Sequence, residues 1–329
     1  MSDFKGIRTG VIGVGSMGQN HARIYSEISD FVAISDPDQI QGLKIAEKFG
    51  VEWFENYEDM LNAVDAVSIS VPTFLHKTIA ENVAKAGVHM LVEKPLAISE
   101  MEASDIIKAS KKYNVVLAVG HVERHNPVVT SLKSFLNDNA CGQILSLSAR
   151  RFSNYPHRIT DVGVLFDLTI HDVDVINNIV NCNPISVYAS GGKSMNNSYE
   201  DFVCLVINYE NGIVGICQTN WLTPMKVRDL SITTTKNFIS MDFLNKNVNV
   251  MNSEYGNIDQ SNLYDTEINF KSKALQVNEI EPLKSELNDF LMSIRMKAKP
   301  LVSGEDGLKA VSIVQAGLKS IQDGKLIKL

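Results

Sequence analysis

The stretch Thr9-Gly10-Val11-Ile12-Gly13-Val14-Gly15-Ser16-Met17-Gly18 decides the fold of this chain. It reads as a short buried strand that turns sharply and opens a helix. Gly13 permits the tight turn, Gly15 lets a pyrophosphate approach the backbone, and Gly18 lets the helix pack close to the strand. The unpaired amides and positive dipole end of that helix would face the bound anion. A glycine-rich turn alone is a weak signal, and the context strengthens this one. Asp36 follows about 20 residues on, at the end of the next strand, where an acid bonds the adenine ribose hydroxyls. A carboxylate there would repel a 2′-phosphate, which predicts NAD rather than NADP. Ser35-Asp36-Pro37-Asp38 also resembles a helix cap, the plainer role for Asp36.

Outward from this motif the first 120 residues alternate strand and helix. Strand candidates are Gly10–Val14, Phe31–Ser35, Ala66–Val71, Val88–Val92 and Val115–Val119. Helices are expected to begin near Gly18, Asp38, Tyr57, His76 and Ser99, the last with Ser99 as N-cap and Glu100 and Glu102 at the positive dipole end. Such alternation predicts a parallel sheet covered by helices on both faces. After residue 121 the rhythm changes. A helix over Pro127–Leu136, a strand over Ile144–Phe152 and a helix from about Val164 to Val180 are expected. Between Ile185 and Phe270, strands punctuated by Gly191-Gly192, Asn211-Gly212 and Lys236-Asn237 predict a mostly antiparallel sheet. Asn252–Asn262 reads as a loop, and two helices, about Pro282–Lys297 and Glu305–Gln322, follow.

A chain of 329 residues suggests two domains. The net charge of −7 argues against nucleic acid, which needs a basic face. No apolar run approaches the roughly 18 residues of a membrane helix, and Met1-Ser2-Asp3-Phe4-Lys5 lacks the apolar core of a signal peptide. Cys141, Cys182, Cys204 and Cys217 are widely spaced and suit reduced thiols. A soluble, cytoplasmic protein is expected, with no membrane partner.

Several residues stand where chemistry would need them. In open α/β sheets ligands collect beyond the carboxyl ends of strands. Val71-Pro72-Thr73, with His76 one helical turn on, should therefore border a nicotinamide, although Pro72 and Thr73 also suit a turn and a cap. Glu93-Lys94-Pro95 ends another strand, so Lys94 could bond a substrate hydroxyl there, and Pro95 is a candidate for a cis bond. The expected cofactor set is Gly13, Gly15, Ser16, Met17, Gly18, Asp36, Val71, Pro72, Thr73, His76, Glu93 and Lys94. Asp167, His171 and Asp174 recur at helical spacing on one face. Histidine suits proton acceptance at neutral pH, and Asp167 could orient it or bond the substrate. An ordinary surface Asp–His pair is the plainer alternative. His121, His125 and His171 invite a metal, but nothing at short range completes a site, and none is expected. Arg150, Arg151 and Arg158 suit a carboxylate or diphosphate and equally suit solvated surface charges.

The segments GVIGVGSMGQNHARIY, VSISVPTFLH, VEKPLA, VGHVERHNP, DVGVLFDLTIHDVDVI and EPLKSELNDF … KPLVSGEDGLKAV, in this order, resemble the glucose–fructose oxidoreductase / inositol dehydrogenase (Gfo/Idh/MocA) family over essentially the whole chain. The resemblance implies an α/β fold: an N-terminal NAD-binding Rossmann domain, residues 1–121, and a C-terminal α/β domain, residues 122–329. The latter would bind substrate and use an open, mostly antiparallel sheet to form homodimers or homotetramers. The family's EKP lysine falls on Lys94, and its aspartate and histidine fall on Asp167 and His171, with Thr169 where glycine is commonest. GHVERHNP, and Asp172 after His171, look closest to UDP-N-acetylglucosamine 3-dehydrogenase-like members.

The expected activity is NAD-dependent oxidation of a sugar hydroxyl, at C3 of a UDP-N-acetylhexosamine, catalysed by Lys94, Asp167 and His171. Substrate contacts are expected from Lys94, His121, Arg151, Arg158, Asp167 and His171. The alternatives are an inositol or free-sugar dehydrogenase and a non-catalytic dinucleotide-binding regulator.

Overall fold

The computed structural model describes residues 4–137, 141–156, 162–195, 198–255 and 268–329. They form two compact units that are not contiguous in sequence. One comprises Met1–His125 with Ile280–Gln315, the other Asn126–Glu279 with Ala316–Leu329. The sequence reading divides the chain once, after residue 121.

The first unit is built on six parallel strands, β1 (Phe4–Ile12), β2 (Ser29–Ser35), β3 (Glu52–Phe54), β4 (Ala66–Ile69), β5 (His89–Glu93) and β6 (Leu117–Gly120), in the order β3-β2-β1-β4-β5-β6. β3 is too short to have left a period in the sequence. Val11, Ile34, Val67, Ile69, Met90, Leu91 and Val92 are fully buried, as befits strands covered on both faces. The strand order reverses between β1 and β4, so the crevice where such sheets bind ligands opens at their carboxyl ends. Five helices lie between strands or after them: α1 (Ser16–Ile28), α2 (Gln39–Phe49), the short α3 (Tyr57–Met60), α4 (His76–Lys85) and α5 (Glu100–Lys112). Ser99 caps α5 by accepting from the Glu102 amide at 3.3 Å. A later helix, which we number α8 (Pro282–Met296), joins this unit: Leu287, Phe290 and Leu291 share one apolar cluster with Ala22 and Tyr25 of α1.

The second unit carries a nine-stranded sheet: β7 (Ile144–Phe152), β8 (Pro184–Gly192), β9 (Phe202–Tyr209), β10 (Val214–Asn220), β11 (Val227–Thr234), β12 (Phe238–Asp242), β13 (Asn247–Tyr255), β14 (Ile268–Ala274) and β15 (Ile327–Lys328). Their order is β14-β13-β12-β11-β7-β10-β9-β8-β15, and only the β7–β10 pair is parallel. The inner face buries Leu147 and Ala149 of β7, Leu205 and Ile207 of β9, and Leu230 and Ile232 of β11. Helix α7 (Ile170–Val180) packs on it, with Ile176 against the space beside Gly215. Helix α6 (Pro127–Leu136) begins at its Asn126 cap. The last helix, α9 (Gly304–Asp323), ends in this unit, where the Ala189 amide of β8 donates to Ser320 Oγ at 2.9 Å.

Three sequence expectations change. Gly191-Gly192 is not a turn: both residues continue β8, and the missing Cβ of Gly191 leaves room for the Phe202 carbonyl on the next strand. Asn252–Tyr255, expected as loop, belong to β13, and 256–262 lie outside the described residues. The helix expected from Val164 opens with a π-helical turn, Leu165–Thr169. Asn211-Gly212 does form a turn, with Gly212 at φ +80°. Among the described residues no helix is long and apolar enough to cross a membrane.

Candidate functional site

The glycine turn has the geometry its sequence implies. Gly13 sits at φ +83°, and a Cβ there would lie 2.8 Å from the Ser70 carbonyl of the neighbouring strand end. A Cβ on Gly18 would collide with the Gly13 carbonyl, so strand and helix touch backbone to backbone. Gly15 is different: its missing Cβ faces open space. It caps α1, which has no side-chain cap and no acid in its first turn, with Ser16 and Met17 following. A thirteen-residue helix that starts without a side-chain cap or an acid, beside a glycine whose Cβ would meet nothing, fits an anion at its N-terminus.

Asp36, half-buried just after β2, holds the turn that follows the strand. Its Oδ2 accepts from the Val14 amide at 2.8 Å and its Oδ1 from the Asp38 amide at 2.9 Å. Each carboxylate oxygen has two lone pairs, so one on each stays available to a ribose hydroxyl. Asp38, rather than Asp36, caps α2 through the Gln41 amide at 3.1 Å.

Beyond β4 and β5 the strand ends are fastened to each other. Val71 and exposed Pro72 lead into a 3₁₀ turn at buried Thr73. His76 is 1% exposed, with Nδ1 2.9 Å from the Pro95 carbonyl and Nε2 3.0 Å from the Val71 carbonyl. Burial lowers its pKa while the two carbonyls work to raise it, and the ring stands between the two loops. The Lys94–Pro95 bond is cis, and Lys94 is half-buried.

Behind Lys94 lies a polar cluster that sequence reasoning missed. Glu93 Oε1 lies 2.9 Å from His21 Nε2, while its Oε2 accepts from the Lys94 amide at 3.1 Å. His21 Nδ1 is 2.8 Å from Ser68 Oγ, itself 2.8 Å from the Tyr25 hydroxyl. Burial works to raise the Glu93 pKa, but the hydrogen bond and charge of His21 and the charge of Lys94 outweigh it and hold the carboxyl below its ordinary range. His21, Glu93 and Glu286 have ligand atoms within 4.8 Å of one another. The ring nitrogens of His21 lie against Ser68 and Glu93.

His121, 1% exposed, follows β6 and begins a buried polar segment. Arg124 in it pairs with Asp306 at 3.2 Å, and its charge overcomes burial to lower the Asp306 pKa.

The second unit holds the remaining candidates. Asp167 stands in the π turn and His171 in the first turn of α7, both half-buried on a helix otherwise almost wholly enclosed. Asp174, expected on the same open face, is fully buried, because α7 is enclosed at nearly every position. Thr169 hydrogen bonds Thr219 of β10 through hydroxyls 2.6 Å apart, anchoring the turn to the sheet. The arginines divide. Arg151 is buried and donates from Nε to Asp172 Oδ1 at 2.9 Å. Arg150 pairs with Asp229 at 2.7 Å on the exposed side of the sheet. Arg158 lies outside the described residues. Arg151, Asn154, Asp167, Lys226 and Arg228 line one cleft of about 460 Å³; Lys226 and Arg228 were not anticipated. Lys94 belongs to the first unit, and Asp167 and His171 to the second.

Comparison with known proteins gives a consistent result. A family profile described as "Oxidoreductase family, NAD-binding Rossmann fold" matches residues 7–121, and the "GFO/IDH/MocA C-terminal domain" profile matches residues 129–240. UDP-N-acetylglucosamine 3-dehydrogenase of Acidithiobacillus ferrooxidans is 28% identical over 306 residues, 93% of this chain and 94% of that protein. Its solved structure superposes with a TM-score of 0.88 at 27% identity, covering 96% of this chain and 98% of that one. Myo-inositol 2-dehydrogenase of Thermotoga maritima is 26% identical over 98% of each chain.

Proposed function

Because this chain belongs to the GFO/IDH/MocA family of NAD-binding oxidoreductases, we propose that it oxidises a secondary hydroxyl of a nucleotide sugar, at C3 of a UDP-N-acetylhexosamine such as UDP-N-acetylglucosamine. The observation that carries this choice over a free sugar or cyclitol is the cleft that holds Asp167 together with Arg151, Lys226 and Arg228. A neutral substrate has no use for so many cations beside the reacting group. The similarity to the A. ferrooxidans enzyme over nearly the full length of both chains points the same way.

Gly13, Gly15, Ser16, Met17 and Gly18 would hold the pyrophosphate of NAD, and Asp36 the adenine ribose, with a preference over NADP. NAD, when bound, supplies the acceptor for the hydride that leaves the carbinol carbon. His171 accepts the hydroxyl proton. Lys94 bonds the same oxygen and stabilises its developing negative charge, the largest kind of contribution a preorganised polar group makes. Asp167 orients the hydroxyl or the imidazole.

NADH formation is the test, with UDP-N-acetylglucosamine, myo-inositol and glucose offered side by side. Turnover of the UDP sugar in clear preference supports the proposal. Turnover of inositol or glucose in preference to it makes the enzyme a cyclitol or free-sugar dehydrogenase.

A further inference from the structure

The antiparallel ladder between β7 and β11 sets Arg151 directly opposite Arg228 and Arg150 directly opposite Asp229. Successive side chains on a strand point to opposite faces, so the two pairs serve different sides of the sheet. Outside, Arg150 meets Asp229 in two hydrogen bonds of 2.9 and 2.7 Å, a matched pair. Inside, the register sets Arg228 opposite Arg151. Like charges directly opposite in a ladder destabilise it, and a fold retains them where anions gather. Asp172 answers Arg151: their side chains are each 2% exposed and 2.8 Å apart. Arg228 is half-buried, and Lys226, two residues before it, is exposed; both line the cleft that contains Asp167. Among the described residues lining that cleft, Arg151, Lys226 and Arg228 stand against one carboxylate, Asp167. The cleft's volume of about 460 Å³ falls in the range of about 300–1,000 Å³ usual for small-molecule sites.

We propose that Lys226 and Arg228 form the subsite for the diphosphate of the substrate, and so set its specificity. The inference rests on the nucleotide-sugar reading above and adds the residues that would enforce it. Arg228 offers a planar fork to phosphoryl oxygens, and Lys226 a mobile point charge. Residues two apart on extended chain lie about 7 Å from each other, a separation two linked phosphoryl groups can bridge. Asp167 in the same cleft puts the sugar end of the ligand beside a proposed catalytic carboxylate. A hexose phosphate offers the same phosphoryl chemistry with one group instead of two, so it is the competing source.

The experiment is calorimetric titration of the full chain, saturated with NADH, using UDP as probe and glucose 6-phosphate as comparison. Wild type, Lys226→Ala, Arg228→Gln and Arg228→Lys are titrated. Each neutral substitution is expected to weaken UDP binding about 10–100-fold, the scale of one charge-assisted hydrogen bond. Arg228→Lys should recover part of that loss, and NADH affinity and melting temperature should stay at the wild-type values. UDP binding unchanged in both neutral variants, with turnover of UDP-N-acetylglucosamine intact, would overturn the subsite and leave the nucleotide-sugar reading standing. A wild-type protein that ignores UDP would overturn both. Tighter binding of glucose 6-phosphate than of UDP would overturn the diphosphate assignment.

Discussion

Glu93 lies 2.9 Å from His21 through one carboxylate oxygen and accepts the Lys94 amide through the other. The residue in front of the proposed catalytic lysine is thereby fixed from behind by a buried partner on α1. Removing one member of a buried pair strands the other and costs about 3–5 kcal/mol. His21→Ala and Glu93→Ala should each lower the melting temperature markedly. Glu93→Gln, which keeps the shape and an acceptor, should fold and lower kcat more than it raises the KM for NAD. A Glu93→Gln enzyme with wild-type kcat would show that the pair does not position Lys94.

The same carboxylate gives the fold an acid limit. Its folded pKa lies below the ordinary 4.5, so its contribution to stability is present above about pH 4.5 and is lost as the pH falls through the folded value. Melting temperature plotted against pH should drop on the acid side for wild type and drop less for Glu93→Gln. Parallel curves would contradict the linkage.

Glu200 works in the opposite sense. Burial raises its pKa, against the Leu165 amide that donates to it at 3.1 Å at the start of the π turn. A carboxyl with a raised folded pKa stabilises below its unfolded pKa, and that contribution is lost as the pH rises through the folded value. Glu200→Gln should therefore melt higher than wild type at pH 8, with the difference shrinking in acid. A variant that melts lower at pH 8 would mean that the charge is needed there.

Two glycines of one motif should fail in different ways. Gly18→Ala pushes a methyl group into the Gly13 carbonyl, an overpacking that costs about 1–3 kcal/mol, so it should melt lower. Gly15→Ala meets only open space in the protein. It should melt like wild type yet bind NAD about 10–100-fold more weakly, as expected when contacts to a pyrophosphate are lost. Unaltered NAD affinity in Gly15→Ala would place the anion elsewhere.

His171→Ala should lower kcat by about 10²–10⁴-fold, the usual contribution of a general base, while NAD still binds. Normal turnover in this variant would remove His171 from the chemistry.

The parts of the molecule legible in sequence were those carried by local patterns. The βα rhythm, the φ +83° glycine at residue 13 and the cap at Ser99 all act within a few residues. The pairing of His21 with Glu93 spans 72 positions and leaves no periodic trace. Neither does the register that sets Arg228 against Arg151; without it, Arg150, Arg151 and Arg158 looked alike. Gly191-Gly192 misled because glycine serves close strand approach as readily as a turn. The π turn spans only Leu165–Thr169 and runs straight into α7, too short to leave a period of its own. The joining of Ile280–Gln315 to the first unit is a matter of tertiary packing alone.

The most direct test of the central claim follows the hydrogen itself. UDP-N-acetylglucosamine carrying deuterium at C3 would be incubated with the protein and NAD, and the reduced cofactor examined by mass spectrometry. The account predicts that the deuterium appears on the nicotinamide ring of the product. NADH formed without the label would contradict oxidation at C3, and no reduction at all would contradict the nucleotide sugar as substrate.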